Sequence, residues 1–253
     1  MHAEMFYAAD KIDEILKEEL WRGFDAEALD NLQKSIKKYV DEGYGTMGSQ
    51  YASLFQELGI ESQVQIQEFA DTVKDSFSDK QKVQILDVGA GHGTRTRYLA
   101  AQKGVNVKAI EPSEYFYARH LLELEKEGKL PFGCAMKGDM CKLPFENAVF
   151  DGVYCNAVLH HQLYLPGKNI GIEQAMSEFS RVLLKGGQLF VLTLAGNHHH
   201  LRLQRFFQSI DENDMEKLAK RNLFKIDSME QITGGGPFGE NTRWLAVYLT
   251  KRG

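Results

Sequence analysis

The stretch at residues 85–100, ILDVGAGHGTRTRYLA, is the feature that most constrains how this chain can fold. An apolar run containing Asp87 leads into glycines at every second position, and a helix-like sequence follows. This order predicts a buried strand, a tight turn and a helix, the repeating unit of open α/β sheets. Glycine removes side chains that would keep a ligand from the backbone, and ligands of such sheets collect beyond the carboxyl ends of the strands. The turn is therefore predicted to border a binding site.

The segments after Lys82 alternate between strand-like and helix-like character. Two more strand-like runs, 223–232 and 242–252, are joined by a glycine-rich stretch and predict an antiparallel pair at a sheet edge. The predicted fold class is α/β: a Rossmann-like, doubly wound seven-stranded sheet, mostly parallel with an antiparallel C-terminal edge pair, preceded by an N-terminal helical extension. The other predicted strands are 83–88, 105–110, 133–137, 150–156 and 187–194, and the predicted helices are 94–103, 114–127 and 172–184.

The first eighty residues have a different pattern. Segments 11–21 and 25–40 carry apolar residues at helical spacing, and 51–60 and 61–77 look helical again. Between them EGYGTMGSQ, residues 42–50, contains three glycines and predicts a flexible loop. The expected organisation is a helical extension over residues 1–80 and a core over residues 81–253.

Charge and composition exclude some classes of protein. The formal net charge of −5 over 253 residues disfavours a generally cationic surface of the kind that binds nucleic acid. No apolar run is long enough to span a bilayer, and the first twenty residues lack the apolar segment of a signal peptide. The three cysteines form no CxxC pair, which predicts reduced thiols and a cytoplasmic protein.

Two kinds of ligand could occupy the glycine turn, a dinucleotide or an adenosyl compound. Both need an acid at the end of the second strand to accept ribose hydroxyls, and Glu111 stands there. The dinucleotide fingerprint has a third glycine where this chain has Thr94, and Asp87 would repel a pyrophosphate. An acid in this turn suits a ligand with a cationic group, such as the ammonium of an amino acid.

Four segments in order resemble the motifs of class I S-adenosylmethionine-dependent methyltransferases, and the nearest subgroup is the small-molecule type of ubiquinone and menaquinone biosynthesis. LDVGAGHGTRTRYLA resembles the first motif, and VKAIEPSEYFYARH the second strand with its ribose-binding acid. MKGDMCKLPFENAVFDGVYCNAVLHH and EFSRVLLKGGQLFVLT resemble the later motifs. The resemblance covers about residues 82–194. It implies S-adenosyl-L-methionine as cofactor and S-adenosyl-L-homocysteine as product.

The resemblance also implies roles for individual residues. The glycine turn would meet the methionine part of the cofactor and Asp87 its ammonium. Glu111 would bind the ribose, Asp139 the adenine amino group, and Asn156 would lie near the methyl group. Alternatively, Asp87 and Asp139 only hold their turns and Asn156 only caps a helix. The implied cofactor-binding residues are Asp87, Gly89, Ala90, Gly91, Gly93, Glu111, Pro112, Asp139, Met140 and Asn156.

His160 and His161 follow the fourth predicted strand and could supply a base if the acceptor carries a proton to be removed. We take His160 as the candidate catalytic residue; the alternative is that these imidazoles only hydrogen-bond their loop. The run His198–His199–His200 lacks the spaced partners of a metal site, so no metal is expected. It is interpreted as a polar segment after the fifth strand.

The predicted function is methyl transfer from S-adenosylmethionine to a small-molecule acceptor. The alternatives are a tRNA-base methyltransferase, disfavoured by the acidic charge balance, and a non-catalytic S-adenosylmethionine-binding protein. Residues 1–80 are a candidate lid over the substrate. In that hypothesis Tyr44, Met47 and Tyr51 of the glycine loop face the pocket.

Overall fold

Eight helices and nine strands make up the described part of the chain. The computed structural model describes residues 6–54, 60–202 and 204–253, and the side chains of 48–54 and 60–62 lie outside this description. The helices are α1 (Ala9–Lys17), α2 (Ala26–Leu54), α3 (Ile60–Ser76), α4 (Thr94–Ala100), α5 (Glu114–Phe116), α6 (Leu122–Lys126), α7 (Ile172–Val182) and α8 (Glu212–Arg221). The strands are β1 (Val83–Val88), β2 (Val105–Glu111), β3 (Ala135–Lys137), β4 (Phe150–Asn156), β5 (Leu183–Leu194), β6 (His199–Arg202), β7 (Arg205–Gln208), β8 (Phe224–Gly234) and β9 (Thr242–Lys251).

Seven of these strands form one sheet in the order β3-β2-β1-β4-β5-β9-β8. The first five are parallel, whereas β9 runs antiparallel to β5 and to the edge strand β8. The predicted fold class, including the antiparallel C-terminal pair, is confirmed. None of the described helices is long and apolar enough to cross a membrane.

Alternating side chains on the central strands build two apolar layers, one on each face of the sheet. Leu86 and Val153 point into the layer formed with α7 and α8. Their neighbours Ile85 and Tyr154 point into the opposite layer, where α3 and α4 pack. This period of two, on strands buried on both sides, explains why their sequences are almost continuously apolar.

Several predicted element boundaries differ from the structure. Helix α7 ends at Val182 rather than at residue 184, because Leu183 already pairs with Phe150 of β4. The predicted helix over residues 114–127 is interrupted by a π-helical turn, Tyr117–Leu121, between α5 and α6. Such turns occur often at functional sites, and this one brings the His120 ring within 4.6 Å of the His92 ring.

The N-terminal extension packs on the core through its own apolar cluster. Ile12 and Ile15 of α1 and Leu32 of α2 are buried with Leu163, which follows β4, and with Phe206 of β7. Strands β6 and β7, a two-stranded ribbon that the sequence patterns did not reveal, thus carry part of this contact. The extension is therefore tied to the end of the sheet where the glycine turn lies.

The predicted loop at residues 42–50 is wrong, since helix α2 continues through it to Leu54. A Cβ on Gly43 would lie 2.0 Å from the carbonyl oxygen of Gln204, so this glycine serves close packing of the helix rather than a turn. Tyr44 lies on the helix, and the Tyr51 side chain lies outside the described residues.

All three cysteines are free and buried. The thiol of Cys141 donates to Gln162 Oε1 and to the carbonyl oxygen of Gly171, each at 3.3 Å. Burial raises the pKa of the Cys134 and Cys141 thiols to about 12, and it raises the pKa of the Cys155 thiol as well. These thiols therefore stay protonated near neutral pH.

Candidate functional site

The candidate site lies at the carboxyl ends of β1, β2 and β4. Strand β1 has β2 on one side and β4 on the other, so the strand order reverses beside it. The loops after β1 and β4 leave toward opposite sides at such a point and open a crevice, which is where open α/β sheets bind ligands.

The turn after β1 has the backbone geometry that its glycines predict. Gly89, Gly91 and Gly93 have φ angles of +70°, +53° and +75°, a region that favours glycine. A Cβ on Gly89 would lie 2.4 Å from Cγ2 of Val158, whereas a Cβ on Gly91 would have no heavy atom within 4 Å. The backbone of Gly91 is thus open to approach by a ligand.

The end of β2 fixes this turn in place. The backbone N–H groups of Gly89 and Ala90 donate to the carbonyl oxygen of Ile110, at 2.8 and 3.2 Å. The Glu111 carboxylate accepts from the backbone N–H of Gly91 at 2.8 Å and from that of Ser113 at 2.9 Å, one bond to each oxygen. Each carboxylate oxygen has a second lone pair, so Glu111 can still accept from hydroxyl groups.

Two buried carboxyl groups flank the turn. Burial raises the pKa of Glu111 to about 7 and that of Asp87 to about 6. Thr96 Oγ1 donates to Asp87 at 2.6 Å and favours its charged form, but this bond does not offset the loss of hydration. Asp87 therefore ties the start of α4 to the strand. A cation bound nearby would stabilise both carboxylates.

Asp139 lies on the other side of the crevice, shortly after β3. One of its oxygens accepts from the backbone N–H of Cys141 at 2.9 Å, and the other is 2.5 Å from Nζ of Lys37 on α2. The Met140 side chain is buried in the core, and Pro112 is exposed directly after Glu111. The predicted adenine-side residues are thus at the crevice, and a lysine of the extension reaches them.

Asn156 ends β4 and is 7% exposed. Its Nδ2 donates to the Tyr154 hydroxyl at 3.1 Å and to Gln65 Oε1, from α3, at 3.2 Å. These bonds hold the amide plane at the tip of the strand.

The two histidines after β4 have different surroundings. His161 Nδ1 lies 2.8 Å from the carbonyl oxygen of Phe206, and its Nε2 lies 2.7 Å from the Tyr44 hydroxyl. The His160 ring stacks on Phe207 and lies 5.6 Å from the Trp244 ring. Burial lowers the pKa of His161 to about 4 and that of His160 well below its usual range, so both rings are neutral near pH 7.

Three buried polar atoms around the crevice have no hydrogen-bond partner among the described residues: Ser113 Oγ after β2, Asn156 Oδ1 and His160 Nδ1. A buried polar atom without a partner costs about 1–3 kcal/mol. Ser113 donates its backbone N–H to Glu111, Asn156 ends β4 and His160 follows it, so the three atoms belong to segments at the carboxyl ends of the strands and indicate a polar ligand there. Together with the two carboxyl groups, this set fits a compound with hydroxyl, amino and cationic groups.

The histidines at 198–200 lie on or directly before β6, which pairs with β7. His199 belongs to β6 and lies 3.3 Å from Asp13 of α1, and the His200 ring packs on Phe238. Within the described ranges, no three His, Cys, Asp or Glu side chains are grouped closely enough to hold a metal ion.

Sequence patterns placed the carboxylates, glycines and histidines but missed several neighbours. Lys37, Gln65 and Trp244 approach the site from helices or strands far away in sequence, and no local motif marks them. Tyr44 was expected to lie on a loop, whereas it lies on helix α2 and contacts His161.

Residues 86–191 match the family model described as a methyltransferase domain. A sterol 24-C-methyltransferase of Gibberella zeae is 31% identical over 155 residues, which cover 58% of this chain and 37% of that protein. The chain thus spans just over a third of the length of this curated relative. The family match confirms the methyltransferase resemblance.

Solved structures with the same fold include two small-molecule methyltransferases. The 1,6-didemethyltoxoflavin N1-methyltransferase of Burkholderia thailandensis, solved with its substrate and S-adenosylhomocysteine, has a TM-score of 0.62 at 16% identity, over 87% of this chain and 91% of that one. The magnesium protoporphyrin IX methyltransferase of Synechocystis, solved with S-adenosylmethionine, has a TM-score of 0.60 at 15% identity, over 85% and 97%.

Proposed function

We propose that this chain, which is a class I S-adenosylmethionine-dependent methyltransferase by its domain match and its fold, transfers the methyl group to a small, partly apolar molecule. The arrangement that carries the proposal is the crevice beside β1. It combines the open backbone of Gly91, the buried carboxyl groups of Asp87 and Glu111, and three buried polar atoms that have no partner among the described residues.

S-Adenosylmethionine, when bound, supplies a methyl group on a positively charged sulfur, which is already activated toward displacement. The turn at Gly89, Ala90 and Gly91 would lie along its methionine part, where the backbone of Gly91 is open, with Asp87 as the nearest counter-charge. Glu111 would accept the ribose hydroxyls and Asp139 the adenine amino group. The charges of Asp87 and Glu111 favour a cationic ligand over a pyrophosphate.

Aromatic side chains beyond the end of β4 are the proposed acceptor side. Phe207 and Trp244 are 1% and 8% exposed, and both pack against His160. Such a wall excludes water and offers apolar surface, which suits an acceptor that is flat or partly apolar. The small-molecule acceptors named for the similar methyltransferases support this choice.

We propose that His160 is the side chain that lies nearest to the reacting atom of the acceptor. Its neutral ring has Nδ1 buried and without a partner among the described residues, so this nitrogen could accept a proton or hold a hydroxyl group of the acceptor. Both nitrogens of His161 are engaged by the protein, and its role is therefore positional.

We further propose that the extension, residues 1–80, covers the crevice as a lid. Lys37 and Tyr44 of α2 contact residues on both sides of it, Asp139 and His161. A cover of this kind would exclude water from the transfer step. The cytoplasmic location expected from the cysteine pattern stays a prediction.

A transfer assay with S-adenosylmethionine labelled in its methyl group tests the function. Metabolite extract and bulk tRNA serve as separate acceptors. We expect label in small organic products and none in tRNA. Label in tRNA alone would support the nucleic-acid alternative, and binding of the cofactor without any transfer would support a non-catalytic protein.

His160→Ala is the informative variant in the same assay. We expect transfer to fall by about 10²-fold, the lower end of what a positioned acid or base contributes, while cofactor affinity stays within about twofold. His199→Ala, whose ring lies against Asp13 of α1, is the control and should retain activity. Equal turnover by His160→Ala and the native chain would remove His160 from the mechanism.

A further inference from the structure

Tyr44 stands in the middle of a row of rings that crosses the crevice. The row runs from His92 in the glycine turn through Phe116 and Tyr44 to His161 and His160. Successive ring centres are 4.7, 5.2, 5.4 and 4.5 Å apart. One ring from α2 thus links the turn after β1 to the histidines after β4.

The hydrogen bonds of His161 define where its proton lies. The Phe206 carbonyl can only accept, so Nδ1 carries the hydrogen and donates to it at 2.8 Å. In the neutral ring Nε2 is then the acceptor, and the Tyr44 hydroxyl donates to it at 2.7 Å. Tyr44 and the Phe206 carbonyl together fix both the tautomer and the plane of the ring.

The neutral state of His161 is maintained by its surroundings. The charged and titratable side chains around the ring are Tyr44 on α2, the adjacent His160, and Arg205 on β7. Burial is the largest cause of its low pKa, and the nearby guanidinium adds to it. The Tyr44–His161 pair is therefore suited to hold geometry rather than to store a proton.

The location of Tyr44 is set by close packing of α2. Gly43 permits the helix backbone to lie against the carbonyl of Gln204, where a Cβ would come within 2.0 Å. The Arg205 guanidinium carbon lies 5.1 Å from the centres of both the Tyr44 and Phe207 rings and joins the helix to the acceptor wall. The ring of Tyr44 thus contacts Phe116, His161 and Arg205.

We propose that Tyr44 is a positioning residue for methyl transfer: it fixes the His161 ring, and through it His160, relative to the cofactor turn. This inference rests on the proposed function. It assigns to the N-terminal extension a direct part in the geometry of the reaction, in addition to covering the crevice.

Tyr44→Phe tests the inference, because it keeps the ring and removes only the hydroxyl. Tyr39→Phe is the matched control, since Tyr39 lies on the same helix and packs in the cluster between α1 and α2. We expect kcat of Tyr44→Phe to fall about tenfold, while the Kd for S-adenosylmethionine, measured by calorimetry, stays within about twofold. Tyr39→Phe should match the native chain in both.

The second readout is the ring of His161 observed by nitrogen NMR in the cofactor-free protein. Loss of a donor to the neutral ring should raise the pKa of His161 in Tyr44→Phe and leave it unchanged in Tyr39→Phe. An unchanged kcat, or a His161 titration that does not move, would overturn the inference. Absence of cofactor binding by the native chain would instead contradict the proposed function.

Discussion

The two buried carboxyl groups beside the glycine turn are the residues whose charge depends most on a ligand. Without one, burial holds the pKa of Asp87 at about 6 and that of Glu111 at about 7, and the nearby Asp87 charge adds to the rise at Glu111. Both groups bind protons more tightly in the folded chain than in the unfolded chain, where their pKa values are near 4. This difference stabilises the cofactor-free fold fully below pH 4, and the stabilisation is lost as pH rises through about 6 to 7.

A cationic ligand should reverse this effect, because it favours the ionised carboxylates. We expect the affinity for S-adenosylmethionine to increase with pH, by up to about tenfold per pH unit below the Glu111 pKa of about 7, and to level off above it. Calorimetry across this range measures it. Glu111→Gln should bind more weakly and with a shallower pH dependence, and a native affinity that is independent of pH would contradict the prediction.

Candidate site residues that belong to local motifs could be placed from the sequence. Asp87, the glycines and Glu111 are fixed by strand ends and by the turn between them, so their spacing is enough to place them. Lys37 and Gln65 come to the crevice through the packing of α2 and α3, and nothing in their immediate sequence distinguishes them from surface residues.

Helix α2 is the element for which sequence and structure differ most. Its three glycines favour a loop by local propensity, since each costs about 1 kcal/mol relative to alanine in a helix. The helix persists because its apolar side chains are buried against α1 and the segment after β4. Tertiary packing thus overrides propensity, and at Gly43 it requires the missing side chain.

Two substitutions separate the effect of helix propensity from the effect of close packing. Gly43→Ala should lower the free energy of unfolding by about 1–3 kcal/mol, because the methyl group would overlap the Gln204 carbonyl. Gly45→Ala places a methyl group where no atom lies within 4 Å, and it should raise the free energy of unfolding by about 0.5–1 kcal/mol through helix propensity. Urea unfolding of both variants tests this, and equal effects of the two would contradict it.

For the molecule as a whole, the extension and the core meet at the adenine side of the proposed site. Lys37 and Asp139 are 102 positions apart in sequence, and their ion pair is partly exposed, with 28% and 36% of the side chains accessible. In our proposal the adenine amino group needs the same carboxylate oxygen that Lys37 contacts. Cofactor binding and the position of α2 are therefore coupled.

Lys37→Met should release Asp139 from this competition. A partly exposed ion pair is worth at most about 1 kcal/mol, so we expect the affinity for S-adenosylmethionine to rise by no more than about fivefold. Lys38→Met, next along α2, is the control and should leave affinity unchanged. A loss of affinity in Lys37→Met would show that the lysine supports the cofactor instead of competing with it.

The mostly parallel sheet and its antiparallel edge pair followed from the alternation of strand-like and helix-like segments. The placement of the extension did not, because it depends on contacts between α1, α2 and the β6–β7 ribbon that no periodicity encodes.

The buried thiols of Cys134, Cys141 and Cys155 give the folded chain an additional property. Alkylating and oxidising reagents react with the thiolate form of cysteine. The raised pKa values of these thiols keep the thiolate population low, and the surrounding core blocks access of the reagents. Modification must therefore wait until the core around each thiol opens, so the rate at which the cysteines become labelled measures how often that part of the native state opens.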